Sequence, residues 1–239
     1  MSFVDVIGFH WRGLFGQFVD SLFPPRCVGC GRVGTWLCAE CLDRFAFVEP
    51  PLCAHCGVGR VVTDGLCARC RTSPLQIDSI RSVFYFEGPL REAIHCFKYQ
   101  GRTELADPLG NLMAAYWMRC AIPVDVVVPV PLHPTRLRER GYNQAALLAR
   151  EMAGRMDMLV DERALARRRA TRPQVDLNAG QRRENVRDAF HCSGDTLIDK
   201  QVLLIDDVCT TGATLEACGL ALYAGGVCSV RALTLARPR

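Results

Sequence analysis

The chain has 239 residues, enough for one large domain or two small ones. A hydrophobic share of 49% and a charged share of 23% are ordinary for a globular fold, and the net charge of +4 is mild. No uncharged apolar run approaches the ~20 residues of a transmembrane helix. The first apolar stretch has no basic lead-in and is broken by Asp5, Arg12 and Asp20, so no signal peptide and a cytoplasmic location are expected.

Within residues 1–24, Phe3, Ile7, Trp11, Leu14, Phe15, Phe18, Val19 and Leu22 recur at spacings near 3, 4 and 7. That period predicts an amphipathic N-terminal helix, ended by Phe23-Pro24-Pro25. Its polar face has few cations, which favours packing on protein over a membrane surface.

Eight of the fourteen cysteines follow in residues 25–75, all in Cys-x-x-Cys pairs: Cys27/Cys30, Cys38/Cys41, Cys53/Cys56 and Cys67/Cys70. Each such knuckle presents two thiolates, and a tetrahedral Zn²⁺ takes four. The gaps of seven residues (31–37) and ten residues (57–66) favour two sequential structural sites, a double zinc ribbon. Cross-braced pairing, an iron–sulfur cluster and redox dithiols are the alternatives. A segment this short buries little core, so metal would supply much of its stability, with apparent binding energies of roughly 10–16 kcal/mol in comparable peptides.

From about residue 79 strands and helices alternate. Strands are expected at 81–86, 124–130, 202–205 and 227–235, and helices at 89–99, 105–118, 142–156 and 214–223. This alternation predicts a parallel sheet flanked by helices. Residues 166–190 are rich in arginine and poor in apolar residues, and read as a mobile loop plus a short helix able to close over a polyanion. Arginine dominates throughout: Lys98 and Lys200 are the only lysines, and the planar guanidinium suits phosphate oxygens.

The most informative run is Val202 to Thr214. Four apolar residues lead to Asp206 and Asp207, at the carboxyl end of a central strand, where open α/β sheets bind ligands. Thr210, Thr211, Gly212, Ala213 and Thr214 then open a helix, and can aim backbone N–H groups, hydroxyls and a helix dipole at one anion. The run lacks the lysine of a P-loop and the three glycines of a dinucleotide fingerprint. A second segment, Val124 to Pro134, runs into Arg136, Arg138 and Arg140, three arginines at alternate positions that could grip a pyrophosphate.

Acid-acid followed by Thr-Thr-Gly-x-Thr resembles the signature of type I phosphoribosyltransferases, which bind phosphoribosyl pyrophosphate (PRPP). The ordered set of motifs sharpens this. Phe86 to Arg91, Phe97-Lys98-Tyr99, Pro129 to Pro134, Arg140 to Gln144, Thr171 to Gln174, Arg183 to Val186 and Asp206-Asp207 together resemble the ComF (competence protein F) family. The resemblance implies a double zinc ribbon over 25–75 and a type I phosphoribosyltransferase fold over 76–239. It implies that Asp206 and Asp207 hold the ribose diol, that residues 210–214 hold the 5′-phosphate, and that Val130, Pro131, Leu132 and Arg140 face the pyrophosphate. Mg²⁺ would arrive with PRPP, bound mostly by substrate oxygens and water.

The family is associated with natural transformation, so single-stranded DNA in the cytosol is an implied partner. Competence or helicase proteins are implied partners of the ribbon. An active transferase and a ribbon scaffold without turnover remain the rival readings. No base-recognition hood follows the PRPP loop, and the sequence names no acceptor.

Overall fold

The computed structural model describes residues 24–59, 64–169 and 188–239. The expected N-terminal helix, and most of the arginine-rich segment, lie outside them. The centre is a five-stranded, all-parallel sheet in the order β1-β7-β6-β2-β3. Its strands are β1 (Ser79–Tyr85), β2 (Val126–Pro129), β3 (Leu159–Val160), β6 (Gln201–Val208) and β7 (Ser229–Arg237). Strands β4 (Leu165–Arg167) and β5 (Phe190–Cys192) form a separate antiparallel pair.

Pleating divides β6 between two cores. Leu203 and Ile205 enter one core, while Val202 and Leu204 enter the other. Both faces are covered, which explains the unbroken apolar run in the sequence. The first core holds the inner faces of α3 (Gly88–Tyr99), α4 (Ala106–Cys120) and α6 (Gln144–Met156). The second holds the β4–β5 pair and α7 (Ala213–Ala224). Helices α4 and α6 cross closely at Gly110, where a Cβ would come within 2.5 Å of Glu151 Cβ.

The cysteine region is split the same way. Cys27, Cys38 and Cys41 join the first core, and Cys53, Cys56, Cys67 and Cys70 join the second. Two short helices, α1 (Ala39–Leu42) and α2 (Ala68–Thr72), each follow the third cysteine of a set. Residues 46–48 run antiparallel beside β1, with Val48 donating to the Val83 carbonyl and Tyr85 to the Ala46 carbonyl.

One expectation is corrected. The three arginines at alternate positions that follow the turn after β2 lie on a seven-residue helix, α5 (Pro134–Arg140), which the sequence pattern does not predict. Alternate positions share a side on an extended chain but diverge by about 200° on a helix. Arg136 and Arg140 therefore share a face, and Arg138 turns away to the hydroxyl of Thr135 at 3.4 Å. The arginine-rich stretch 166–190 is also more ordered at its ends than a loop, because they are the strands β4 and β5.

Candidate functional site

Strand order places the site. From β2 the chain moves outward to β3, and from β6 it moves the other way to β7. The neighbours β2 and β6 thus flank a topological switch point, and the crevice beyond their carboxyl ends is where such sheets bind ligands. Register pairs Pro129 with Ile205, and the Val130 N–H donates to the Ile205 carbonyl at 2.9 Å. The turn Val130, Pro131 and Leu132 is thereby set beside the strand end that carries Asp206 and Asp207.

Asn143 fixes this turn from the start of α6. Its side-chain nitrogen donates to the Val130 carbonyl at 3.0 Å, while its oxygen caps the helix by accepting from the Ala145 N–H at 3.1 Å. The Tyr142 hydroxyl donates to the Phe97 carbonyl, tying the start of α6 to α3. These two residues, and Gln144 after them, have structural roles that the sequence motif alone did not assign.

The acid pair is asymmetric. Asp207 is buried at 5% exposure. Its Oδ1 meets the Lys98 ammonium at 2.9 Å, and its Oδ2 accepts from the Gln144 amide at 3.2 Å. Burial alone would depress the Lys98 ammonium, but the Asp207 charge beside it lifts it above its ordinary value. Asp206 is partly exposed, and its Oδ1 accepts the Asp207 N–H at 2.8 Å. Burial raises the Asp206 carboxyl to about 7, the adjacent Asp207 charge adds to that, and Lys98 and Arg167 oppose it.

Lys98 is the functional candidate to which sequence reasoning gave no role. Its signal was rarity, as one of two lysines among 29 basic residues. Lys98 also lines an open pocket of about 190 Å³ with Tyr99, Gly101, Arg136, Glu139 and Arg140. There Arg140 stacks over the Tyr99 ring at 5.3 Å, and Arg136 pairs with Glu139 at 2.9 Å. Arg140 is therefore close to Lys98, on the side of the crevice that Asp207 faces.

The loop after β6 runs from buried Cys209 through exposed Thr210 and partly exposed Thr211 to Gly212, Ala213 and Thr214. Gly212 precedes the first turn of α7 with φ +81°, a left-handed conformation suited to glycine. The reason for glycine here differs from the expected approach of a phosphate. A Cβ would lie 2.8 Å from Ile80 Cδ1, so the residue is packed inward. The Thr211 hydroxyl accepts from the Ala213 N–H at 3.3 Å, and the positive end of the α7 dipole makes this end attractive to an anion. Cys209 is a buried filler, its thiol pushed up to about 11 by burial.

The cysteines gather into two sets: Cys27, Cys30, Cys38 and Cys41, and Cys53, Cys56, Cys67 and Cys70, with the sulfurs of each set within 4.8 Å of one another. This is the sequential pairing, not the cross-braced one. In both sets the first sulfur accepts a backbone N–H from the third cysteine: Cys38 to Cys27, and Cys67 to Cys53, each at 3.4 Å. Burial opposes the thiolate form at Cys27 and Cys53, but these and neighbouring N–H donors outweigh it and lower both thiols. Four sulfurs with such N–H support fit a structural, all-cysteine zinc site.

Comparison with known proteins agrees. Residues 18–71 match the double zinc ribbon domain, and residues 138–239 match the phosphoribosyl transferase domain. The chain is 30% identical over 212 residues to the DNA utilization protein YhgH of Escherichia coli O157:H7, covering 86% of this chain and 92% of that protein. It is 29% identical to competence protein F of Haemophilus influenzae, covering 91% and 99%. Among solved structures, a glutamine PRPP amidotransferase from B. subtilis matches 54% of this chain and 26% of its own, with 19% identity and a TM-score of 0.39. By its relatives and its two domains, the chain belongs to the competence protein F family.

Proposed function

We propose that the crevice at the carboxyl ends of β2 and β6 binds PRPP as its magnesium salt, and that the protein uses this site in DNA uptake, handling incoming single-stranded DNA in the cytosol. The observation that carries the reading is the acid pair Asp206-Asp207 at the switch point, followed at once by the loop 210–214 and faced by the turn 130–132. The loop and the start of α7 offer N–H groups and hydroxyls to the 5′-phosphate. The acid end of β6 offers a carboxyl to the ribose diol. Arg140 supplies positive charge toward the pyrophosphate.

Among the described residues the only metal-competent clusters are the two cysteine sets. Mg²⁺ would therefore come on the phosphate oxygens and water, not in a protein cage. When bound it would neutralise pyrophosphate charge; the chain's own part is to orient the sugar and the phosphates.

Calorimetry of Mg²⁺ and PRPP with the zinc-loaded protein tests the reading. Saturable binding supports it, and absence of binding in a folded sample overturns it. Pyrophosphate release then separates a transferase from a PRPP-responsive binding protein. Direct DNA handling requires retention of single-stranded DNA that weakens as salt is raised, and is refuted if none is retained at low salt.

A further inference from the structure

We infer that the two acids of the pair have different tasks: Asp206 alone presents a carboxyl to the ribose diol, while Asp207 is an internal anchor held by Lys98, which acts as a positioning residue for the site. The inference rests on the PRPP reading above and divides the labour within it.

The pleat of β6 supplies the first argument. Successive residues project to opposite faces. Asp207 meets Lys98 of α3 and Gln144 of α6, the helices that cover the first core. Asp206 is influenced from the second-core side by Arg167 of β4 and Cys218 of α7, and across the strand end by Lys98.

Occupancy supplies the second. Both oxygens of Asp207 are taken, one by an ammonium and one by an amide. The side chains of Asp207 and Lys98 are 7% and 21% exposed, and Gln144 is 4% exposed. Gln144 Oε1 is itself buried without a hydrogen-bond partner. The amide thus gives up a hydrogen bond at one end to keep its N–H on Asp207; the reverse orientation would set oxygen against carboxylate. Breaking such an arrangement to free Asp207 for a ligand would strand a buried ammonium. Asp206, by contrast, is partly exposed, and among the described residues its Oδ2 has no hydrogen-bond partner.

Lys98 then serves the site at a distance. It neutralises Asp207, so the Asp206 carboxyl beside it ionises against one fewer bare anion. The charged or titratable groups facing Asp206 are Asp207 from its own strand, Lys98 from α3, Arg167 from β4 and Cys218 from α7. Removing Lys98 withdraws a cation and exposes a second anion, and both changes oppose ionisation of Asp206.

The test is PRPP affinity across pH, by calorimetry with Mg²⁺. Wild-type binding comes first: if it is absent, the PRPP reading fails and the division of labour falls with it. Given binding, Asp206→Asn should weaken it about tenfold or more, as expected for losing hydrogen bonds to a charged acceptor. The double variant Lys98→Met/Asp207→Asn, which removes both charges together, should stay within about threefold of wild type at pH 8. Lys98→Met alone should move the midpoint of the pH profile upward, and Lys98→Arg should restore it. A second measurement needs no variant of the pair to fold: with carboxyl-¹³C aspartate, PRPP should displace the Asp206 signal and leave that of Asp207 in place. A double variant that binds as poorly as Asp206→Asn, or an Asp207 signal that moves with PRPP, overturns the inference.

Discussion

Arg237, the last residue of β7, donates a hydrogen bond of 2.7 Å to the carbonyl of Cys56, a member of the second cysteine set. The contact is buried and joins residues 181 apart in sequence. It has company: the Ile80 N–H donates to the His55 carbonyl at 2.7 Å, and Arg81 reaches the Ala54 carbonyl at 3.0 Å. The Cys53–Cys56 knuckle is therefore mounted on β1 and β7 through its own backbone. Arg237→Met should leave the Cys56 carbonyl buried and unpaired, at a cost of about 1–3 kcal/mol. Chemical denaturation measures this, and a variant as stable as wild type would show that the link contributes nothing.

The same region reaches the anion-binding loop through Ile80, whose Cδ1 lies against Gly212. Gly212→Ala meets two penalties, a left-handed φ of +81° and an overlap at 2.8 Å. Together they should cost about 2–3 kcal/mol and weaken PRPP binding. Ile80→Ala in the same chain should relieve the overlap but not the backbone strain, so rescue should be partial. Full rescue would assign the whole effect to packing, and no initial loss would deny the contact.

The order of elements was legible in the sequence because each long element carries its own signal. Val202 to Ile205 announces a strand buried on both faces, and Pro89 marks a helix start. Helix α5 has no counterpart in the sequence reading although Pro134 and Gly141 bracket it in the usual helical manner, because Leu137 alone gives it no apolar period. Strand β3 has two residues, too few for any period. The cysteine sets were readable from gap lengths, but their distribution to opposite faces of the sheet was not. The Lys98–Asp207 pair spans 109 positions, as the numbering shows. Nothing local in Phe97-Lys98-Tyr99 says which acid that lysine will meet; helix α3 must first be laid on the sheet.

Metal content offers a direct check on the paired cysteines. Two zinc ions per chain are expected, one for each set. Chelation should lower the melting temperature, since each set sits in a different core of the sheet. The two sites should also differ in their consequences. Serine at Cys53 and Cys56 removes ligands from the set that contacts Ile80, and so should reduce PRPP affinity more than serine at Cys27 and Cys30. Equal losses, measured on samples shown to be folded, would defeat this asymmetry; an elemental count of zero zinc in a folded wild type would defeat the sites altogether.

The raised carboxyl of Asp206 gives a pH signature with a definite sign. Its ordinary value of 3.8 is lifted to about 7, first by burial and then by the Asp207 charge. Between those values the folded chain binds a proton at Asp206 that the unfolded chain does not, so the contribution of Asp206 to stability falls as pH rises from about 4 to about 7. Asp206→Asn removes the titration. The variant should match wild type near pH 4 and be the more stable of the two at pH 8, by a margin on the order of 2–4 kcal/mol. PRPP binding should run the opposite way, the variant being weaker at pH 8 where wild-type Asp206 is ionised. Urea unfolding of both proteins at pH 4 and pH 8 decides the point: a stability difference that stays flat across that range would mean that Asp206 titrates normally and that its burial is relieved in solution.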